Sequence, residues 1–235
     1  MRTRFSGVLM SAGLLCAIGA VRAAPRPAVV ELFTSEGCSS CPPAEAFIGE
    51  LAHRRDVLAL AFHVDYWDDL GWRDRFGIPE ATPRQRGYAK SLHLSTVYTP
   101  QVVIDGQYDV VGSDRQKIVA TVRDPRGGVP VLLAVHDGEV FIDLMSQTGI
   151  TSSEVLLVAY QRTAVSAIGR GENAGRTLTE YNIVRGIRHL GQYLGAAHQY
   201  RAAVSTLPGG ATDIAVLVQS LGQGPIVGAV SQTLP

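Results

Sequence analysis

The sequence predicts an α/β chain whose first half mixes strands and helices and whose second half is built mainly of strands. Three observations carry this. Between Pro27 and Arg123, short apolar runs of the buried-strand type alternate with segments of helical periodicity. Residues 124–130, Asp-Pro-Arg-Gly-Gly-Val-Pro, then read as a linker. Beyond it, apolar runs and turn signals recur with few helix signals, as in a β-sandwich-like module or a sheet extension. The expected organisation is therefore a signal segment 1–23, an α/β domain 27–123, a linker 124–130 and a β-rich region 131–235.

The chain opens Met1-Arg2-Thr3-Arg4, runs through an apolar stretch from Val8 to Val21, and reaches Val21-Arg22-Ala23, with residues a signal peptidase accepts. This is the pattern of a cleavable secretory signal cut after Ala23. The alternative, an uncleaved anchor, calls for about 20 apolar residues, and this stretch is shorter. Cys16 leaves with the signal, and the large Leu15 before it argues against a lipidated cysteine. The expected location is periplasmic or secreted, where a disulfide persists.

Val29 to Thr34 is the first strand-like run. Pro43 to His53 carries Ala46, Phe47, Glu50 and Leu51 at helical spacing. Val57 to Val64 is a second buried strand. A polar insertion, Asp65 to Leu92, contains a helix start at Thr82-Pro83-Arg84-Gln85, with Thr82 as the cap. Gln101–Ile104 and Tyr108–Val111 flank Asp105-Gly106-Gln107, a hairpin signal, and Ser113 or Asp114 caps a helix running to Arg123. After the linker, Val131–His136 and Glu139–Leu144 flank Asp137-Gly138 as a second hairpin. Val155–Tyr160, Ala202–Thr206, Ile214–Val218 and Ile226–Val230 are further strands.

Composition sets limits. Apolar residues make up 46% and charged residues 18%, enough for a real core. The formal charge is zero, and loss of Arg2, Arg4 and Arg22 leaves 18 basic against 21 acidic residues, a charge of −3. That balance offers no footprint for a nucleic acid. After signal cleavage no stable membrane insertion is expected.

Cys38-Ser39-Ser40-Cys41 carries the chemistry. Strand, tight loop, C-x-x-C and helix is the setting of a redox dithiol. Cys38, at or just before the helix start, is placed to attack; Cys41, one turn in, is placed to resolve and is the more buried of the two. The helix dipole and the Ser39 and Ser40 hydroxyls favour a Cys38 thiolate, whereas Glu36 opposes it. Thr99-Pro100 enters a strand. A cis bond there makes a tight bend that can pass beside the dithiol; a trans bond makes an ordinary strand-entry proline. Glu31 lies inside an apolar strand, which is costly unless it is paired or used. It serves either as proton acceptor for Cys41 or as a strand-end carboxylate facing solvent or an arginine. Tyr66, Trp67 and Trp72 in the insertion form either a substrate groove or a small satellite core.

These motifs resemble an uncharacterised family of secreted bacterial thioredoxin-like proteins. The matching stretches are Phe33 to Pro43, His63 to Asp68, Tyr98 to Gln101, Gly171 to Arg176 and Asn182 to Arg185. The resemblance implies a thioredoxin-like domain with a helical insertion, followed by a β-rich extension. It also implies that Cys38 attacks, Cys41 resolves, and Thr99-Pro100 forms the cis-proline edge that holds a substrate strand. The implied partners are protein or small-molecule thiols and disulfides, together with a redox partner. No organic cofactor is implied. The loop between the cysteines lacks the Gly-Pro or Pro-His of typical thioredoxins, and the insertion is long.

Two rival functions stand beside exchange. Cys38, Cys41 and His63 can supply soft ligands for Cu(I), as in a copper chaperone. Alternatively, the disulfide is structural and the chain is a binding module, with the Gly171-Glu172-Asn173 loop and Arg176 carrying recognition or simply forming a turn.

Overall fold

Two parallel strands, β1 (Ala28–Thr34) and β2 (Val57–His63), are buried at every position. Their apolar runs do not alternate because both faces of the sheet are covered there. The computed structural model describes residues 26–124 and 126–235. The expected signal 1–23, its cleavage after Ala23, and Cys16 lie outside the described residues.

Helix α1 (Pro42–Ala52) joins β1 to β2. Pro42 and Pro43 occupy its first positions, where a missing N–H costs nothing. Its Ala44, Phe47, Ile48 and Leu51 pack on Val30, Leu32 and Ala59, one face of the sheet. The other face, with Val29, Phe33, Leu60 and Phe62, is covered by Tyr88 of α2 (Ala81–Ser91). The insertion therefore contains a helix, preceded by a 3-10 turn at Asp68–Leu70. Thr82 is not its cap. The N-cap position falls to Glu80, and the Thr82 hydroxyl instead donates to Asp65 Oδ1 at 2.6 Å.

β3 (Gln101–Ile104) and β4 (Tyr108–Val111) form the expected hairpin, with Asp105 and Gly106 at positive φ. Helix α3 (Arg115–Thr121) starts at Asp114, whose carboxylate accepts from the Lys117 amide at 3.0 Å.

The β-rich region contributes β5 (Val131–His136), β6 (Glu139–Leu144), β7 (Ser153–Ala167), β8 (Thr177–Tyr193), β9 (His198–Ala203), β10 (Asp213–Ser220) and β11 (Ile226–Thr233). β9 ends at Ala203, and Val204–Thr206 turns as a 3-10 helix where the sequence had suggested strand. The larger sheet has the order β11-β10-β7-β8-β2-β1-β3-β4, so the second half of the chain extends the sheet begun by the first. The junction is the parallel pairing of Ala61 with Ile183. Beside it Asn182, at φ 47°, sends its side-chain amide to the Ala59 carbonyl at 2.8 Å, replacing a ladder bond. A second sheet, β5-β6-β9, packs on the outer part of the first, burying Val140, Ile142 and Leu144 against Val155, Leu157, Val216 and Val218.

Candidate functional site

The turn between β1 and α1 carries the cysteines. The Cys38 amide donates to Ser35 O at 3.1 Å and the Cys41 amide to Cys38 O at 3.2 Å, winding the chain toward the helix. Cys38 and Cys41 form a disulfide with Cα atoms 5.4 Å apart. Cys41, rather than Cys38, holds the N-cap position of α1, because the two prolines set the helix start immediately after it. Cys38 is no more exposed than Cys41: the two residues are 0% and 1% accessible. Ser40 Oγ lies 3.4 Å from Cys38 Sγ.

The burial of Cys38 has an identifiable cause. The loop between β7 and β8 folds over the cysteine turn. Asn173, itself fully buried, donates through Nδ2 to the carbonyls of Glu36 at 2.9 Å and Cys38 at 3.0 Å. Glu172 accepts from the Ser39 amide at 3.2 Å. Gly171, at φ 77°, shapes this loop, and an added Cβ would lie 3.1 Å from Trp72 Cβ. The Gly171–Asn173 segment is thus a clasp on the disulfide turn.

The remaining residues singled out from sequence fall in three places. Thr99-Pro100 is a cis peptide. Pro100 lies beside the first turn of α1: a Cβ added at Gly112 would sit 2.8 Å from Pro100 Cβ and 3.0 Å from Ala44 Cβ. Trp67 Nε1 donates to Thr99 Oγ1 at 2.9 Å, and Trp67 also packs over Gly37. Tyr66 and Trp67 pack against the core, and burial raises the Tyr66 phenol. Trp72 Nε1 donates to Glu36 Oε2 at 2.7 Å. Trp67 and Trp72 therefore brace the cysteine turn, while Tyr66 packs on the core.

Glu31 faces the opposite side of the sheet from α1. Arg84 Nε donates to its Oε1 at 2.6 Å, and Tyr88 donates to its Oε2. Both carboxylate oxygens are engaged in this buried pair, which Gln219 extends through Arg84 and Tyr88. The arrangement corrects the assignment of Glu31 as proton acceptor for Cys41 and matches the arginine-paired alternative. The ligand set Cys38, Cys41 and His63 is also corrected. Both ring nitrogens of His63 face carboxylates, and among the described residues no group of three or more His, Cys, Asp or Glu is arranged to hold a metal ion.

Behind the disulfide, on the α1 side, lies a buried acid–imidazole cluster. His63 Nδ1 is 2.8 Å from Asp74 Oδ2 and Nε2 is 3.7 Å from Glu45 Oε1. Asp74 also accepts from the backbone amides of Glu36 at 2.7 Å and Phe76 at 2.8 Å. Glu180, from β8, accepts from Ser166 Oγ at 3.3 Å. Burial alone would lower the His63 pKa, but the hydrogen-bonded Asp74 carboxylate, with Glu45 and Glu180, outweighs it and lifts the imidazolium to about 9. Burial likewise raises Asp74, yet the His63 cation holds it below the usual carboxylate range. Burial pushes Glu45 up and Glu180 to about 8. Both oxygens of Glu45, Nε2 of His63, Oε1 of Glu180, Oε1 of Glu36 and Oγ1 of Thr34 have no hydrogen-bond partner. Such unsatisfied buried polar atoms are rare in folded proteins and call for an explanation.

A family model described as "Protein of unknown function (DUF1223)" matches residues 29–219. The chain belongs to that family. Among solved structures, the crystal structure of an Agrobacterium tumefaciens protein is similar, with a TM-score of 0.78 and 29% identity over 89% of this chain and 95% of that one. No curated protein matches.

Within this family member, sequence reasoning missed Glu45, Asp74 and Glu180 as site residues. Glu45 looks like an ordinary acidic residue in a first helical turn. Asp74 and Glu180 reach the site only through tertiary structure. Asn173 lay in a loop already noted as polar and Gly-rich, and its role as a clasp has no local signal.

Proposed function

We propose that the chain is an exported thioredoxin-like protein that exchanges thiols and disulfides through Cys38 and Cys41. The observation that carries this reading is the Cys38–Cys41 disulfide at the start of α1, with Thr99-Pro100 against the same helical turn. The strand order β2-β1-β3-β4, with α1 joining the parallel pair, further supports a thioredoxin-like core. In the reductive direction Cys38 attacks a substrate disulfide, and Cys41 resolves the mixed disulfide. The oxidative direction reverses these steps. Because Cys38 is covered, exchange proceeds through displacement of the Glu172–Asn173 clasp, in the manner of a lid. The partners are protein or small-molecule thiols and disulfides, met in the periplasm or outside the cell.

The test is stoichiometric transfer. The reduced protein should reduce an added small disulfide, yielding one Cys38–Cys41 bond for each disulfide consumed, and Cys38→Ala should not. Failure of the wild type to react under conditions where the protein remains folded would overturn the reading. A structural disulfide in a binding module is the second reading, and the full burial of both cysteines favours it.

A further inference from the structure

The acid–imidazole cluster is the largest concentration of unsatisfied buried polar atoms among the described residues. Such a cluster costs folding free energy, so a role in chemistry is the economical explanation. Its position suggests that role. Glu45 lies four residues after Cys41, and its amide donates to the Cys41 carbonyl at 3.1 Å. Cys41 has helical backbone angles, so the two side chains share one helix face, with Cβ atoms about 5–6 Å apart. Glu31, the carboxylate a sequence reading prefers, is on the other face and tied to Arg84 and Tyr88.

We propose that Glu45 takes the proton of the Cys41 thiol during resolution, and that His63, anchored by Asp74, is the positive group that favours the Glu45 carboxylate for that task. The proposal rests on the exchange reading above. Cys41 Sγ attacks Cys38 Sγ in the mixed disulfide, so the Cys38–Cys41 bond forms and the Cys38–substrate bond breaks. The substrate sulfur leaves as a thiolate with the bonding pair. The dithiol is oxidised by two electrons and the substrate disulfide reduced. The Cys41 proton passes to a Glu45 oxygen, directly or across one water, and then to solvent.

The groups that face Glu45 are His63 from β2, Asp74 from the insertion, Glu36 from the cysteine turn and Glu180 from β8. Only His63 is cationic. Its Nε2 points at Glu45 while Asp74 fixes the opposite nitrogen. Burial and the neighbouring carboxyls raise the Glu45 pKa, and His63 opposes them. Glu45 is the proton acceptor; His63 and Asp74 are positioning residues.

The test follows the mixed disulfide between Cys38 and glutathione. Reduced protein is mixed with glutathione disulfide, quenched with acid, and the adduct is counted by mass spectrometry across pH. An unassisted thiol resolves roughly tenfold more slowly for each pH unit below its ordinary pKa of about 8.5. The wild type should show a much shallower decline. Glu45→Gln should slow resolution at neutral pH by at least about tenfold, general bases typically giving about 10²–10⁴-fold, and should approach the wild type in alkali. Glu45→Asp should recover part of the rate, and His63→Gln should shift the profile to higher pH. A tenfold-per-unit decline in the wild type, or a Glu45→Gln profile matching the wild type, overturns the relay and leaves exchange standing. A wild type that forms neither adduct nor disulfide overturns exchange and the relay together. If Glu45→Gln does not fold, the wild-type slope and Glu45→Asp decide.

Discussion

Replacing Asn173 with Ala should uncover the disulfide. Asn173 Nδ2 makes two buried hydrogen bonds, to Glu36 O at 2.9 Å and Cys38 O at 3.0 Å. Alanine removes both: Glu36 O loses its donor, at a cost of about 1–3 kcal/mol, whereas Cys38 O keeps the bond from the Cys41 amide. Water reaches the vacated space once the loop lifts, so the cost falls on the closed state. A net destabilisation of the clasp by about 1–3 kcal/mol eases local opening by about 5- to 150-fold, at about 1.4 kcal/mol per factor of ten. If reduction proceeds from the opened state, its rate follows that equilibrium. The assay is the pseudo-first-order reduction of Cys38–Cys41 by dithiothreitol, followed by thiol release, with a urea melt run in parallel. Glu172→Ala, which removes only the surface contact to Ser39, should accelerate reduction far less. A rate for Asn173→Ala within about twofold of the wild type, in a protein that melts normally, would refute the clasp as the barrier to access.

Three further outcomes are expected. Arg84→Met leaves Glu31 as an uncompensated buried charge and should cost about 3–5 kcal/mol by urea denaturation, whereas Arg84→Met with Glu31→Leu should cost less; equal losses would contradict a true buried pair. Gly112→Ala forces a methyl to within 2.8 Å of Pro100 and 3.0 Å of Ala44, and should destabilise by about 1–3 kcal/mol; a neutral result would mean the strand moves freely. Stability should peak in mild acid and fall toward alkali. His63, lifted to about 9 from 6.5, contributes fully below pH 6.5, and its contribution is lost as pH rises through about 9. Glu180, raised from 4.5 to about 8, acts in the same direction and is lost as pH rises through about 8. Asp74, lowered from 3.8, contributes above that value and is lost as pH falls below it. At about 1.4 kcal/mol per pKa unit, His63 alone loses about 3 kcal/mol over the alkaline limb. Urea melts at successive pH values that stay flat from neutrality to pH 9 would contradict this.

The strands buried on both faces were legible because β2 and β10 carry continuous apolar runs and Glu31 alone interrupts the run of β1. The hairpins were legible in Asp105-Gly106 and Asp137-Gly138, whose positive φ values the turns require. β8 was not. Its 17 residues include Arg185, Gly186, Arg188 and Gly191, and it pairs along β7 with irregular register at Val155/Leu156 and Ala159/Tyr160. Side chains exposed beyond the core and bulges break the alternation on which strand reading depends. Thr82-Pro83 carried a cap signal, but Asp65 takes the Thr82 hydroxyl.

The site divides along the same line. Cys38, Cys41 and Thr99-Pro100 carry local sequence signals, and the structure sets them near the first turn of α1. Glu45, His63, Asp74 and Glu180 come from α1, β2, the insertion and β8, and only the packing of those elements makes them a cluster. Glu31 drew attention because it interrupts an apolar strand. That cost is met by Arg84 and Tyr88, which a helix 53 residues away supplies.

The most direct measurement is the reduction potential of the Cys38–Cys41 pair, by equilibration against glutathione buffers with Cys38→Ala as the control. Thiol–disulfide exchange predicts a reversible potential between about −270 and −120 mV, the span of known exchange proteins. A potential below about −300 mV would mark a resistant structural disulfide and contradict the account.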